Sequence, residues 1–274
     1  MLVSKYHGCG NDFIITRYEN VQDLDIKHFV ISVCDRHTGI GADGCILVKQ
    51  DPLEMVFYNC DGSRAPMCGN GIRCFAKYCL DEHIEIRSQY PVNTLAGVKL
   101  VKRIRTEPFL VEIDMGKPDY RLEMIHVRKG VENMMKVPMK VKGTTVELYS
   151  FFMSTVHTVV FVEDAFAKEN EEIGRIICHD PLFEEQTNVN FVEIVDNHTI
   201  RMQTYERGVG MTLACGTGAC ASALMAHKEK GCDSHIAVIL RRGELRIEVD
   251  EEENVKMSGP ASRTLKGEYQ YVSC

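Results

Sequence analysis

A cysteine followed by Gly-x-Gly occurs twice, as Met67-Cys68-Gly69-Asn70-Gly71 and as Ala214-Cys215-Gly216-Thr217-Gly218, one copy in each half of the 274-residue chain. A helix-forming run follows each copy, so each thiol is placed at a helix N-terminus. Free backbone N–H groups and the helix dipole there favour the thiolate and lower a thiol's pKa. Two such thiols suit the removal of a proton from one face of an amino-acid α-carbon and its return to the other, one as thiolate base and one as thiol acid. Duplicated halves that each offer one cysteine to a shared cleft would supply that symmetry. Two helix N-termini aimed at the substrate carboxylate would stabilise the developing charge, and glycines let the backbone approach the ligand.

Other residues could hold such a substrate. Tyr205-Glu206-Arg207-Gly208 stands shortly before the second motif and pairs a guanidinium for a carboxylate with a carboxylate for an ammonium. His7-Gly8-Cys9-Gly10-Asn11-Asp12-Phe13 and Asn59-Cys60-Asp61-Gly62-Ser63 read either as turns or as further polar contacts. His157, alone in an apolar stretch, reads as a core histidine. Gly216-x-Gly218-x-x-Ala221 partly resembles a dinucleotide fingerprint, but neither the βαβ context nor a following acidic residue accompanies it.

The elements that must position these groups follow from periodicity. Ile72, Phe75, Ala76, Cys79 and Leu80 predict an amphipathic helix over 72–82, and the run 219–226 is apolar nearly all round, as in a buried helix. Strands are predicted at 98–105, 109–115, 156–163, 189–195, 199–205, 236–240 and 244–250. Further helices are predicted at 26–36 and 164–178, the latter opening after Glu163-Asp164. Strands in runs, rather than in regular alternation with helices, favour an α+β fold. Met115-Gly116-Lys117-Pro118-Asp119 is the linker candidate, with one cysteine motif on either side.

Composition narrows the classes. With 45% hydrophobic and 26% charged residues the chain is an ordinary globular one, long enough for two modest domains. A net charge of −7 and a pI near 5.8 argue against non-specific binding to nucleic acid or an anionic membrane, and point to a small ligand. No signal peptide or membrane-spanning run is read, so a cytoplasmic location is expected. The 12 cysteines show no C-x-x-C and no structural zinc spacing, so no metal is expected. Cys9, Cys34, Cys45, Cys60, Cys79, Cys178 and Cys232 read as small buried apolar residues.

Taken together, Lys5–Phe13, Gly39–Gly44, Asn59–Ser63, Met67–Phe75, Thr187-Asn188-Val189 and Tyr205–Ala221 resemble the diaminopimelate epimerase family of pyridoxal-phosphate-independent, two-cysteine racemases and epimerases. The resemblance implies two pseudo-symmetric domains, each a mixed sheet or barrel wrapped around a central helix. It divides them as 1–117 plus 263–274, carrying Cys68, and 118–262, carrying Cys215, with the last strand (about 263–274) returning to the first domain. It implies that Cys68 and Cys215 are the acid/base pair and that His157 and Glu206 tune them. Substrate would be held by Asn11, Asn59, Gly69, Asn70, Thr155, Asn188, Glu206, Arg207, Gly216 and Thr217. It further implies an isomerase of lysine and cell-wall precursor biosynthesis, a homodimer, with no cofactor or metal. The sequence departs from the family pattern at Met153-Ser154-Thr155-Val156-His157, where Met-Gly-Asn-Pro-His is usual, and where Pro66 and Met211 replace common glutamates. Threonine in place of asparagine leaves open the racemisation of another L-amino acid, such as histidine or lysine, on the same scaffold.

Overall fold

The computed structural model of the chain describes residues 1–272, which form two compact units. The first comprises Met1–Asp114 and the stretch from Ser258 onward; the second is Met115–Met257. Among the described residues, five α-helices punctuate the strands: α1 (Ile26–Cys34), α2 (Gly69–Asp81), α3 (Leu122–Ile125), α4 (Glu169–Cys178) and α5 (Gly216–Lys230).

In the first unit, strand Leu2–Gly8 pairs antiparallel with Asn11–Arg17 through a two-residue turn, Cys9-Gly10, with φ of 56° and 93°. Positive φ at both positions matches the twist of a tight hairpin, and the turn sets Asn11 at the first position of its strand. From Asn11–Arg17 the chain crosses over through α1 to the parallel strand Gly44–Lys49 and returns antiparallel as Glu54–Asn59. A short strand, Arg64–Ala65, then leads into Cys68 and α2. The strand Ser262–Glu268 closes against Leu2–Gly8. It is shorter than the expected 263–274, and residues 273 and 274 lie outside the described residues.

The second unit repeats this plan. Strand Val156–Phe161 crosses over through α4 to the parallel strand Asn188–Asp196, returns antiparallel as Thr199–Glu206, and passes a short strand, Gly210–Met211, into Cys215 and α5. Asn59 and Glu206 end the equivalent strands and precede their cysteines by the same number of positions. The duplication therefore extends beyond the motif to the elements that aim it.

Each unit wraps its strands around one helix, which differs from the amphipathic reading of 72–82. Helix α2 begins at Gly69, inside the motif, and every residue from Gly69 to Ala76 is buried, Arg73 included. In α5 burial runs through Ala219–Ala226, and the helix ends at Gly231 in a left-handed conformation (φ 71°) after three basic residues, His227, Lys228 and Lys230. The crossover helices cover separate cores. Phe29, Val30 and Val33 pack with Ile14, Leu47 and Val56 in the first unit, and Ile177 and Cys178 pack with Leu148, Val160, Val189 and Phe191 in the second. Full burial of side chains this size stabilises each unit by about 1.5–3 kcal/mol apiece.

Helix α4 starts at Glu169 rather than at 164. Asp164 accepts a hydrogen bond from Phe166 N–H, and the Asn170 amide donates to the carbonyls of Asp164 and Ala165, so this segment forms a turn ahead of the helix. Cys60 is exposed, contrary to its reading as a core residue, because it lies in the Asn59–Ser63 turn; the other six cysteines expected to be buried are so.

Candidate active site

Cys68 and Cys215 occupy the same local geometry. Each is the N-cap residue of its helix with extended backbone, φ −132° and ψ 123° at Cys68, φ −125° and ψ 110° at Cys215. Each sulfur accepts the N–H of the residue three positions on at 3.4 Å, from Gly71 and from Gly218. Serine, threonine, aspartate or asparagine would cap a helix better. What sulfur offers instead is an ionisable group lying against free N–H donors at the positive end of a helix.

The second glycine of each turn is required by packing inside the protein. A Cβ at Gly71 would lie 3.2 Å from Cys68 Cβ and 3.3 Å from Ile46 Cδ1. One at Gly218 would lie 2.4 Å from Asn190 Oδ1 and 2.9 Å from Thr204 Oγ1. These contacts are with the protein itself, a reason additional to the ligand approach inferred from the sequence.

Around Cys68 the polar groups form one ordered network. Asn11 donates its Nδ2–H to Asp43 Oδ2 at 2.6 Å, which turns Asn11 Oδ1 toward the motif. That oxygen accepts Asn70 Nδ2–H at 3.1 Å and lies 3.9 Å from Cys68 Sγ. Asn70 Oδ1 in turn accepts from Arg73 at 3.0 Å, and Arg73, wholly buried, also donates to the carbonyls of Gly69 and Pro260. A buried guanidinium is tolerated only with such donors satisfied, and here it braces the first turn of α2. Asp12 pairs with Lys5 and Arg36, which also reaches Asp43. Asn59 donates to Ser63 Oγ at 3.0 Å across its own turn.

Around Cys215 the equivalent place is taken by a histidine. His157 is fully buried and both ring nitrogens are engaged, Nδ1 with Asn190 Nδ2 at 3.1 Å and Nε2 with Thr217 Oγ1 at 2.9 Å. Thr217 Oγ1 lies 3.5 Å from Cys215 Sγ. Burial, with Arg207 adding to it, pushes His157 down to about 3 against an opposing contribution of its hydrogen bond with Asn190, so the ring is neutral at physiological pH. His157 is thus a satisfied core histidine that is also wired to the motif.

Arg207 is held on three sides. Its backbone N–H donates to Asn188 Oδ1 at 3.0 Å, and its guanidinium donates to the Glu185 carbonyl at 3.1 Å and to Thr155 Oγ1 at 3.2 Å. Glu206 Oε1 accepts from Thr212 Oγ1 at 2.7 Å. The structure therefore gathers Asn11, Gly69 and Asn70 at Cys68, with Asn59 at the end of the preceding strand. It gathers Thr155, Asn188 and Arg207 into one group, and His157, Gly216 and Thr217 at Cys215. Asn70 is 2% exposed, and its side chain is committed to Asn11 and Arg73.

Among the described residues no cluster of three or more His, Cys, Asp or Glu side chains is arranged to hold a metal ion. No helix among them is long and apolar enough to cross a membrane.

A sequence model of the family described as diaminopimelate epimerase matches residues 3–121 and 150–264, spanning both cysteine motifs and the groups around them. The chain belongs to the diaminopimelate epimerase family. Relatives named diaminopimelate epimerase include one from Halothermothrix orenii, 37% identical with 96% of each chain covered. Another, from Caldanaerobacter subterraneus, is 38% identical over 98% of this chain and 100% of its own. A third, from Nostoc punctiforme, is 39% identical over 96% and 98%. Solved structures share the fold at much lower identity. A phenazine biosynthesis protein of the PhzF family from Bacillus anthracis superposes with a TM-score of 0.71 at 13% identity, covering 99% of each chain. A probable proline racemase from Agrobacterium radiobacter does so with 0.70 at 13%, covering 98% and 92%. The expected α+β architecture of two repeated domains is the fold of this diaminopimelate epimerase family member.

Three residues of this site escape a sequence reading. Asn190 and Thr204 lie inside strands, where the alternation Asn188-Val189-Asn190 carries a faint signal of two inward polar groups. Arg73 falls on a helix position that periodicity assigns to solvent; its burial follows from strands surrounding α2, which no local pattern encodes.

Proposed function

We propose that this chain epimerises LL-diaminopimelate to meso-diaminopimelate by a cofactor-independent transfer of protons between two thiols, in the formation of lysine and cell-wall precursors. Similarity over nearly the whole chain to relatives named diaminopimelate epimerase supports the reaction. The observation that carries the mechanism is that both cysteines cap helices with a backbone N–H bonded to the sulfur.

In the proposed reaction the thiolate of one cysteine takes the α-proton as the Cα–H bond breaks. The electron pair left on carbon delocalises into the carboxylate, where backbone N–H groups at Gly69-Asn70 and Gly216-Thr217 stabilise it. The other cysteine gives its thiol proton to the opposite face and becomes the thiolate, so the charge of the pair is conserved. Asn11, Asn59, Thr155, Asn188, Glu206 and Arg207 bind the rest of the substrate, and His157 and Glu206 tune the thiols. Thr155 orients Arg207 through its hydroxyl, so a threonine still serves the site where asparagine is usual.

The substrate is tested by incubating the protein, without added cofactor, with LL-diaminopimelate and with L-histidine and L-lysine, and following inversion by chiral chromatography. Diaminopimelate is expected to be inverted with the highest kcat/KM; faster inversion of histidine or lysine would reassign the substrate. We further propose a cytoplasmic homodimer, on the strength of the family resemblance. Light scattering should report twice the chain mass of 31.0 kDa, and a particle of the single mass would contradict the dimer.

A further inference from the structure

The guanidinium of Arg207 is held by oxygens from two turns. Nη1 donates to the Glu185 carbonyl at 3.1 Å and Nη2 to Thr155 Oγ1 at 3.2 Å. Two points on a planar fork fix its plane, so the other donors of the fork have set directions. Each oxygen is carried beside a non-glycine residue in the left-handed region, Ser154 (φ 61°) before Thr155 and Gln186 (φ 62°) after Glu185. Such a conformation is unfavourable for a residue with a Cβ, and it persists where the surroundings over-determine it.

At Glu185 those surroundings grip the segment Leu182–Asn188 at both ends. At its start, Arg128 N–H donates to the Leu182 carbonyl at 3.1 Å and Glu184 N–H to the His126 carbonyl at 2.7 Å. These bonds join Val127 and Phe183 in an isolated antiparallel bridge, with both side chains against the core of the second unit. His126-Val127-Arg128 lies between the two segments that the family model matches. At its end, Thr187 Oγ1 lies 2.9 Å from Thr158 Oγ1, which lies 2.8 Å from Ser150 Oγ. All three residues are buried, so these hydroxyls satisfy one another out of reach of water. Between the two holds stand the Glu185 carbonyl and Asn188 Oδ1, which accepts the Arg207 backbone N–H at 3.0 Å.

We propose that Leu182–Asn188 is a template that aims Arg207 at a substrate carboxylate, kept in shape by the His126-Val127-Arg128 clasp on one side and by the Ser150–Thr158–Thr187 hydroxyl row on the other. This rests on the reading of Arg207 as a substrate-binding group and adds what sets its direction. The residues of the clasp and of the row act through Arg207 and are positioning residues.

The test uses two pairs of variants of the full chain. Thr187→Val removes the hydroxyl that meets Thr158, and Thr187→Ser keeps one. Arg128→Pro removes the N–H given to Leu182, at a position whose preceding residue is already paired as a strand, and Arg128→Ala keeps it. Hydrogen exchange of the Arg207 amide in the substrate-free protein reports the template directly. It is expected to be about tenfold faster in Thr187→Val and Arg128→Pro, and as in the unaltered protein in Thr187→Ser and Arg128→Ala. With LL-diaminopimelate, KM is expected to rise about tenfold in the first two variants with kcat within about twofold, the loss of an interaction that binds substrate and transition state alike. Should Thr187→Val fail to fold, Ser150→Ala cuts the row one hydroxyl further back and is expected to give the same changes at a few-fold. The inference is overturned if exchange of the Arg207 amide is unchanged when either hold is cut, or if kcat falls while KM stays in place. The exchange measurement needs no substrate, so inactivity toward diaminopimelate would leave it intact, and unchanged exchange beside normal inversion would leave the epimerase reading intact.

Discussion

Cys68→Ser and Cys215→Ser, each made alone, are expected to lower kcat for inversion of LL-diaminopimelate by on the order of 10²–10⁴-fold, the contribution of one positioned acid/base group. Neither should lower the thermal midpoint. Serine is among the best N-cap residues, and its oxygen can accept the Gly71 or Gly218 N–H that the sulfur now accepts at 3.4 Å. Helix capping is therefore preserved or strengthened by a substitution that removes an easily ionised group. The divergence between activity and stability separates a chemical role for the thiols from a structural one. Loss of activity accompanied by a fall in melting temperature would indicate that the sulfurs matter for packing. Unchanged activity would remove them from the reaction. Circular dichroism melts beside steady-state rates are sufficient to decide.

The second large effect is predicted at a glycine. Gly218→Ala is expected to destabilise the protein by about 3 kcal/mol, combining overpacking with a disrupted buried hydrogen bond. Its Cβ would stand 2.4 Å from Asn190 Oδ1 and 2.9 Å from Thr204 Oγ1. Neither atom can swing aside freely: Asn190 is wholly buried and is held by Thr204 and His157. Gly71→Ala meets Cys68 Cβ and Ile46 Cδ1 at 3.2 and 3.3 Å, contacts that a shift of a few tenths of an ångström relieves. A cost of about 1 kcal/mol there is largely offset by the better helix propensity of alanine, worth up to about 1 kcal/mol. Denaturant melts of the two variants should differ by at least twofold in free-energy loss. Equal losses would mean that the Asn190 cluster yields more readily than its contacts suggest.

Much of this protein is legible in its residues because its chemistry is local. The Cys-Gly-x-Gly turns announce both the thiols and the helix starts that activate them, and the Val- and Ile-rich runs mark seven of the strands within a few residues. What is not legible depends on contacts distant in sequence. The crossover helices α1 and α4 each join a parallel pair, a relation that depends on which strands meet and leaves no mark on either strand. The amphipathic appearance of 72–82 misleads because Arg73 and Asn70 satisfy each other and neighbouring carbonyls, so polar residues are buried as safely as apolar ones. At His157 the sequence reading of a core residue holds, and the buried ring also reaches Thr217 of the second motif. Burial keeps the ring neutral while its two nitrogens engage Asn190 and Thr217.

The measurement that bears most directly on the account is the early course of LL-diaminopimelate inversion in deuterated water, followed by NMR or mass spectrometry before equilibrium is approached. Two monoprotic thiols predict that meso product carries deuterium at the inverted carbon while the remaining LL substrate stays protiated, because the group that removes the proton is not the group that returns one. Deuterium appearing in unreacted substrate as fast as in product would contradict the two-thiol mechanism and point to a single base serving both faces.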